Sequence, residues 1–173
     1  MKIALSPWLV AVVGLFLSGL PARALEQVYE KPSAFLERHF GSIPKAGVLK
    51  LEARHQSALK RVLGHDYAQS QLRYWGDGKR SAWILEEIGK TEPITVGVLI
   101  EKGKIADLSV LVYRESHGWE VSKTFFTGQF KGAKLADGYT LDRPIDGIVG
   151  ATLSVRALTK LSTAALYLET QVP

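Results

Sequence analysis

Residues Ile94–Tyr113 read ITVGVLIEKGKIADLSVLVY. Ile94, Val96, Val98 and Ile100 recur at every second position, EKGK supplies a turn, and Ala106, Leu108, Val110 and Val112 do so again. Side chains on a strand point to opposite faces in turn, so this period of two predicts an antiparallel hairpin with one apolar face. The same pattern extends backward. SAWILEEIG, starting at Ser81, predicts a preceding strand, and GDGKR before it a turn. Leu72 and Tyr74 alternating with Arg73 and Trp75 predict the first strand, from Gln71. Together these make an antiparallel meander of about four strands.

Forward of the hairpin the period is lost. Residues 115–145 hold ESHGWEV, FFTGQFKGAK and DGYTLDRP, and a long irregular stretch rich in glycine and aromatics is more often functional than idle. Leu153, Ala157, Leu161, Ala164 and Leu168 then mark a C-terminal helix. On the other side, residues 25 to about 66 read as two helices. Pro32 suits the first turn of one, whose face carries Phe35, Leu36, His39 and Phe40 before Gly41 and Pro44 end it. The other is expected from about Leu49, with Leu51, His55, Ala58, Leu59 and Val62 on one face and Gly64 closing it. The expected class is α+β: a small antiparallel sheet of about four strands with helices on one face, an N-terminal helical cap over residues 25–69, and a long C-terminal helix.

The first residues are expected to lie outside this fold. Lys2, the apolar run LVAVVGLFL and the small residues of Ala22-Arg23-Ala24 have the form of a signal peptide, cleaved after Ala24. The apolar run is short for a membrane span and is broken at Ser6-Pro7 and Gly14, so a periplasmic protein is expected. The alternative is an uncleaved inner-membrane anchor facing the periplasm. There is no twin arginine, which implies export unfolded and a cofactor loaded afterwards.

Of 173 residues, 22 are Lys or Arg and 17 Asp or Glu. Losing the leader's two cations, Lys2 and Arg23, lowers the formal net charge from +5 to +3. No basic run with interleaved aromatics is present, so nucleic acid is not expected as a partner. The absence of cysteine excludes disulfides, iron–sulfur clusters, a lipoprotein anchor and covalent c-type haem. His39, His55, His65 and His117 show no zinc spacing, so no metal site is expected, and His55 is expected as a hydrogen-bonded core residue.

The segment from Asp146, DGIVGATLSVRAL, carries the chemistry. A helix N-terminus offers unpaired N–H groups and about half a positive charge, a natural seat for phosphate. Gly150 and Ala151 allow close approach, Thr152 offers a hydroxyl, and Arg156 one turn later offers screening. The plainer alternative is that Asp146 and Thr152 merely cap the helix.

DGIVGATLS resembles the flavinylation signature D-x-x-[ST]-G-A-T-x-[ST] of the FMN-binding domain family, through Asp146, Gly150, Ala151, Thr152 and Ser154, with Val149 in place of Ser or Thr. RESHGWE is similar to that family's E-T-P-G loop, through Glu115, Ser116 and Gly118, with His117 in place of proline. FFTGQFKG is similar to its Q-[FW]-K-G stretch, through Gln129, Phe130, Lys131 and Gly132. The segments come in the family's order and, with the strands before them, span roughly residues 70–170. The family includes the covalent-flavin subunits of the sodium-translocating NADH:quinone reductase and the Rnf complex, but this chain is closer in plan to small secreted stand-alone members.

The resemblance implies an FMN-binding domain over residues 70–173, with FMN joined through its phosphate to Thr152 by a flavin transferase. Trp119, Phe125, Phe126, Phe130 and Tyr139 are candidate walls for the flavin ring, and Gln129 and the backbone of Ser116–Gly118 are candidate donors to its polar edge. Glu115 is expected either to oppose an anionic reduced ring or to organise its loop. No nucleophile elbow, acid/base pair or Gly-x-Gly-x-x-Gly is present, so a redox carrier serving a membrane-associated partner is expected ahead of a substrate-transforming enzyme. The alternatives are a reversibly FMN-binding oxidoreductase and a secreted accessory module that has lost the cofactor.

Overall fold

The computed structural model of the chain describes residues 26–172; the expected signal peptide lies outside them. A six-stranded, wholly antiparallel sheet forms the centre, and its four inner strands are the expected meander: β3 (Gln71–Gly76), β4 (Arg80–Ile88), β5 (Pro93–Glu101) and β6 (Lys104–Tyr113). Two strands extend it. β1 (Gln27–Val28) pairs with the end of β6, and β2 (Ala46–Lys50) pairs along β3, giving the spatial order β1-β6-β5-β4-β3-β2.

The helices cover both faces, not one. On the first face lies α1 (Pro32–Phe40), whose Phe35 and Leu36 pack on Ala82, Leu99, Leu111 and Val112. Its docking point is Gly97, where a Cβ atom would stand 2.9 Å from the Phe35 ring. Burying Phe35 there stabilises the fold by roughly 2–3 kcal/mol. On the second face lie α2 (Ala53–Leu63) and the 18-residue α4 (Thr152–Glu169), against Trp83, Ile94, Val96, Val98 and Ile100. Cover on both sides explains why every residue of β5 between Pro93 and Glu101 is buried.

Two local expectations change. The second N-terminal helix starts at Ala53, because Leu49 and its neighbours are drawn into β2 by full pairing with β3. Its start is fixed by a reciprocal cap, in which Glu52 accepts from the His55 backbone and the His55 ring accepts the Glu52 N–H at 3.0 Å. His55 is thus buried and hydrogen-bonded through Nδ1, whereas its buried Nε2 has no partner among the described residues. In β6, register shifts against β5 break the single alternation. Leu108, Val110 and Tyr113 face the main core, whereas Ala106 and Val112 pack on the α1 side with Leu111.

The irregular segment holds two 3-10 turns (Trp119–Ser122 and Gly128–Phe130) around the short α3 (Thr124–Thr127), then a small hairpin of β7 (Leu135–Ala136) and β8 (Thr140–Leu141). It leads into α4, whose far end is tied to the sheet by Glu169. That carboxylate accepts from the Ser81 hydroxyl and, at 3.1 Å, from the Trp83 indole N–H.

Candidate functional site

α4 begins without a side-chain cap. A turn closed by the Ala151 N–H on the Ile148 carbonyl (3.0 Å) precedes it, and its first backbone bond runs from Val155 to Ala151 (2.9 Å). Neither Asp146 nor Thr152 bonds the helix end, so capping does not account for these residues. Gly150 adopts φ +84°, a conformation that strains any residue with a side chain. Thr152 is exposed at the first helical position, with the N–H groups of the opening turn beside it.

A second wall faces this turn. The loop after β6 runs from Glu115 to Gly118 and is held to α4 through Tyr113, which is buried. The phenol donates to the His117 carbonyl at 2.5 Å and lies 2.9 Å from the Ser154 hydroxyl. A phenol has one proton, so Ser154 must donate to the phenol oxygen. Burial, the main influence, raises the pKa of Tyr113 and keeps it neutral. Gly118 permits the contact, since a Cβ there would lie 3.0 Å from the Tyr113 hydroxyl and 3.1 Å from Ala151 Cβ.

A third wall is the turn between β4 and β5. Glu115 accepts the N–H groups of Lys90, Thr91 (2.7 Å) and Glu92 (3.0 Å), and the Thr91 hydroxyl at 3.1 Å. Burial opposes ionisation of Glu115, but these donors outweigh it and hold its pKa below the usual carboxylate value. The three walls enclose a cleft of about 310 Å³, lined by Lys90, Glu115–His117 and Gly150–Ser154.

Residues 89–167, from the start of that turn nearly to the end of α4, match the family model described as the FMN-binding domain. The chain carries an FMN-binding domain. FMN is its cofactor. A search of the curated proteins finds no match.

The FMN-binding domain brings together Glu115, Ser116, Gly150, Ala151, Thr152 and Ser154 around one cleft, with Gly118 packed beneath. Glu115 organises backbone, that of the β4–β5 turn and not of its own loop. Ser154 is turned to Tyr113. The departure at residue 117 leaves this contact intact, because the bond uses a backbone carbonyl that proline would also provide; the imidazole instead lies 2.8 Å from the Ser116 hydroxyl.

Other expected contacts lie elsewhere. Phe126 and Phe130 are each 0% exposed and pack edge-to-face at 5.7 Å in the core, so they line no cleft. Gln129 spends its side chain on the Asp146 backbone, accepting the N–H at 2.8 Å, and does not line the cleft. Lys131 is exposed and Gly132 holds Arg143 through its carbonyl (3.0 Å), so the Q-F-K-G stretch buttresses the helix entry from behind. Tyr139 packs on Tyr167 and shares a separate groove with Arg156, which removes both from Thr152. Trp119 and Phe125 are exposed but do not line the cleft.

Lys90 and Leu153 were not signalled by sequence. Lys90 sits in a short polar turn with no chemical pattern, and Leu153 reads as a core position of the helix, yet it is 40% exposed. The cleft is at the small end of the range for ligand sites, about 300–1,000 Å³. Apolar Val149 and Leu153 are exposed on either side of Gly150–Thr152. Thr152, Gly150 and Ala151 would hold the phosphate end of FMN, which bound there would supply the redox chemistry.

Proposed function

We propose that the protein is a periplasmic electron carrier with FMN esterified to Thr152. The observation that carries this reading is an exposed hydroxyl at an uncapped helix start, opening on a cleft with small residues beside it. In the attachment step the Thr152 oxygen bonds to the FMN phosphorus of FAD, and the anhydride bond breaks. AMP leaves with that electron pair, and the hydroxyl proton passes to base. A flavin transferase is the implied partner for this step.

A covalent link suits a protein exported before loading. A site filled by mass action empties when free ligand falls below its dissociation constant, and an ester does not. A carrier fits better than an enzyme with its own substrate, because the one carboxylate lining the cleft, Glu115, is engaged by backbone donors. A shallow site also leaves the flavin edge open to donor and acceptor proteins, one of them membrane-associated.

The deciding experiment is the visible spectrum of transferase-loaded protein before and after acid precipitation, with intact mass alongside. Colour that stays with the pellet, and a mass increased by one FMN less one water, are expected for wild type and absent in Thr152→Ala. Colour released to the supernatant would support reversible binding instead, and colourless protein under all loading conditions would support loss of the cofactor. Thr152→Ala should leave stability within about 0.5 kcal/mol, since the side chain is exposed.

A further inference from the structure

We infer that Lys90 is the cation that holds the phosphate carried by Thr152, and that Glu115 is the residue positioning it. The inference rests on the reading of Thr152 as the attachment point. Lys90 lies far from Thr152 in sequence but lines the same cleft, on the β4–β5 turn whose backbone Glu115 holds. Among the described residues no carboxylate pairs with its ammonium group. Arg156, the cation nearest to Thr152 in sequence, faces a different groove, so among the described residues Lys90 is the one lysine or arginine on the cleft wall.

The place of Lys90 is set through its backbone. Glu115 gathers three consecutive N–H groups, those of Lys90, Thr91 and Glu92, onto one carboxylate oxygen. Gly89 leaves room for this, since a Cβ there would stand 2.8 Å from that oxygen. A bare carboxylate in the cleft would repel a phosphate. With its charge directed into the turn, Glu115 instead fixes the point from which the Lys90 side chain extends. A phosphodiester at Thr152 retains one negative charge, which the helix start and an ammonium both favour.

The test is the rise in melting temperature that flavin loading confers on the full-length protein, measured for wild type, Lys90→Gln and Lys90→Arg. Lys90 is exposed, so both variants should fold as wild type does. Loaded wild type is expected to melt above its unloaded form, because a group held only in the native state stabilises it. That increment should fall by at least half in Lys90→Gln and be largely kept in Lys90→Arg. High salt should shrink it in wild type and leave Lys90→Gln unchanged. In Glu115→Gln the increment should fall equally, with no further loss in the double variant.

An increment in Lys90→Gln equal to that of wild type overturns the assignment while leaving the ester at Thr152 intact. A wild-type increment of zero overturns it as well. Wild-type protein that takes no covalent flavin removes both this inference and the reading beneath it.

Discussion

Tyr113→Phe should loosen the joint between the Glu115–Gly118 loop and α4, although Tyr113 does not itself line the cleft. The substitution deletes one oxygen that serves two partners, the His117 carbonyl at 2.5 Å and the Ser154 hydroxyl at 2.9 Å. Ser154 is only 4% exposed, so water does not readily replace the lost acceptor. Leaving one buried polar group without a partner costs about 1–3 kcal/mol, and the carbonyl of exposed His117 adds less because solvent reaches it. A total near 2 kcal/mol corresponds to a fall in melting temperature of about 4–8 °C for a domain of this size. Thermal unfolding of Tyr113→Phe, Ser154→Ala and the double variant measures it. Removing both partners should cost less than the two single losses together, by about 1 kcal/mol. The reasoning is refuted if Tyr113→Phe melts within about 1 °C of wild type, or if Ser154→Ala costs the same in both backgrounds.

Two further outcomes are expected. Gly89→Ala should destabilise the protein by about 1–3 kcal/mol, as overpacked sites do, since its methyl would stand 2.8 Å from the Glu115 carboxylate and 3.0 Å from Ile94; urea unfolding tests this, and an unchanged midpoint would show that the turn yields freely. His65 lies 3.0 Å from the Asp66 carbonyl and 2.9 Å from buried Glu87, and these two partners, in that order, raise its pKa despite the repulsion of Lys160. A raised native pKa means that this contribution to stability is complete below about pH 6.5 and is lost as pH climbs through the native value. Unfolding midpoints taken across that range should decline less steeply in His65→Gln than in wild type. Tyr67, beside the same cluster, does not interfere, because burial and Glu86 and Glu87 push it up to about 12.

The meander was legible because apolar residues recur at every second position along Ile94–Ile100 and again from Ala106, even though the bulges in β6 send Ala106 and Val112 to the α1 side. α4 was legible because its apolar positions keep helical spacing over four turns. β2 was not. Leu49 falls at a helical interval from the residues of α2, and only pairing with β3, a non-local event, assigns it to a strand. The helix start at Glu52 was hidden too, because the reciprocal cap uses Glu and His where Ser or Thr and Glu are usual. At the cleft, the Gly-Ala-Thr turn and the Glu115 loop could be read from residue types that suit phosphate and tight backbone. The aromatics could not be sorted that way. Phe126 and Phe130 are as apolar as a ring contact must be, and composition does not distinguish a core side chain from a cleft wall. Lys90 was beyond reach, since the bonds that bring it to the cleft run from a distant carboxylate to its backbone and leave no mark on the side-chain sequence.

Among the described residues β2 is the last strand of the sheet on its side, which has its own meaning for a protein that must stay dispersed. A strand with one unpaired side is a template on which another copy can add, and here it displays Val48 at 54% exposure. The exposed segment is only five residues long and is bracketed by Lys45 and by Lys50 at its end. Two molecules approaching rim to rim would bring these lysines together before any ladder could close. Repulsion at the fringe thus guards against chain-to-chain stacking, and neutral residues at both positions would convert a solubility device into a nucleus for aggregation.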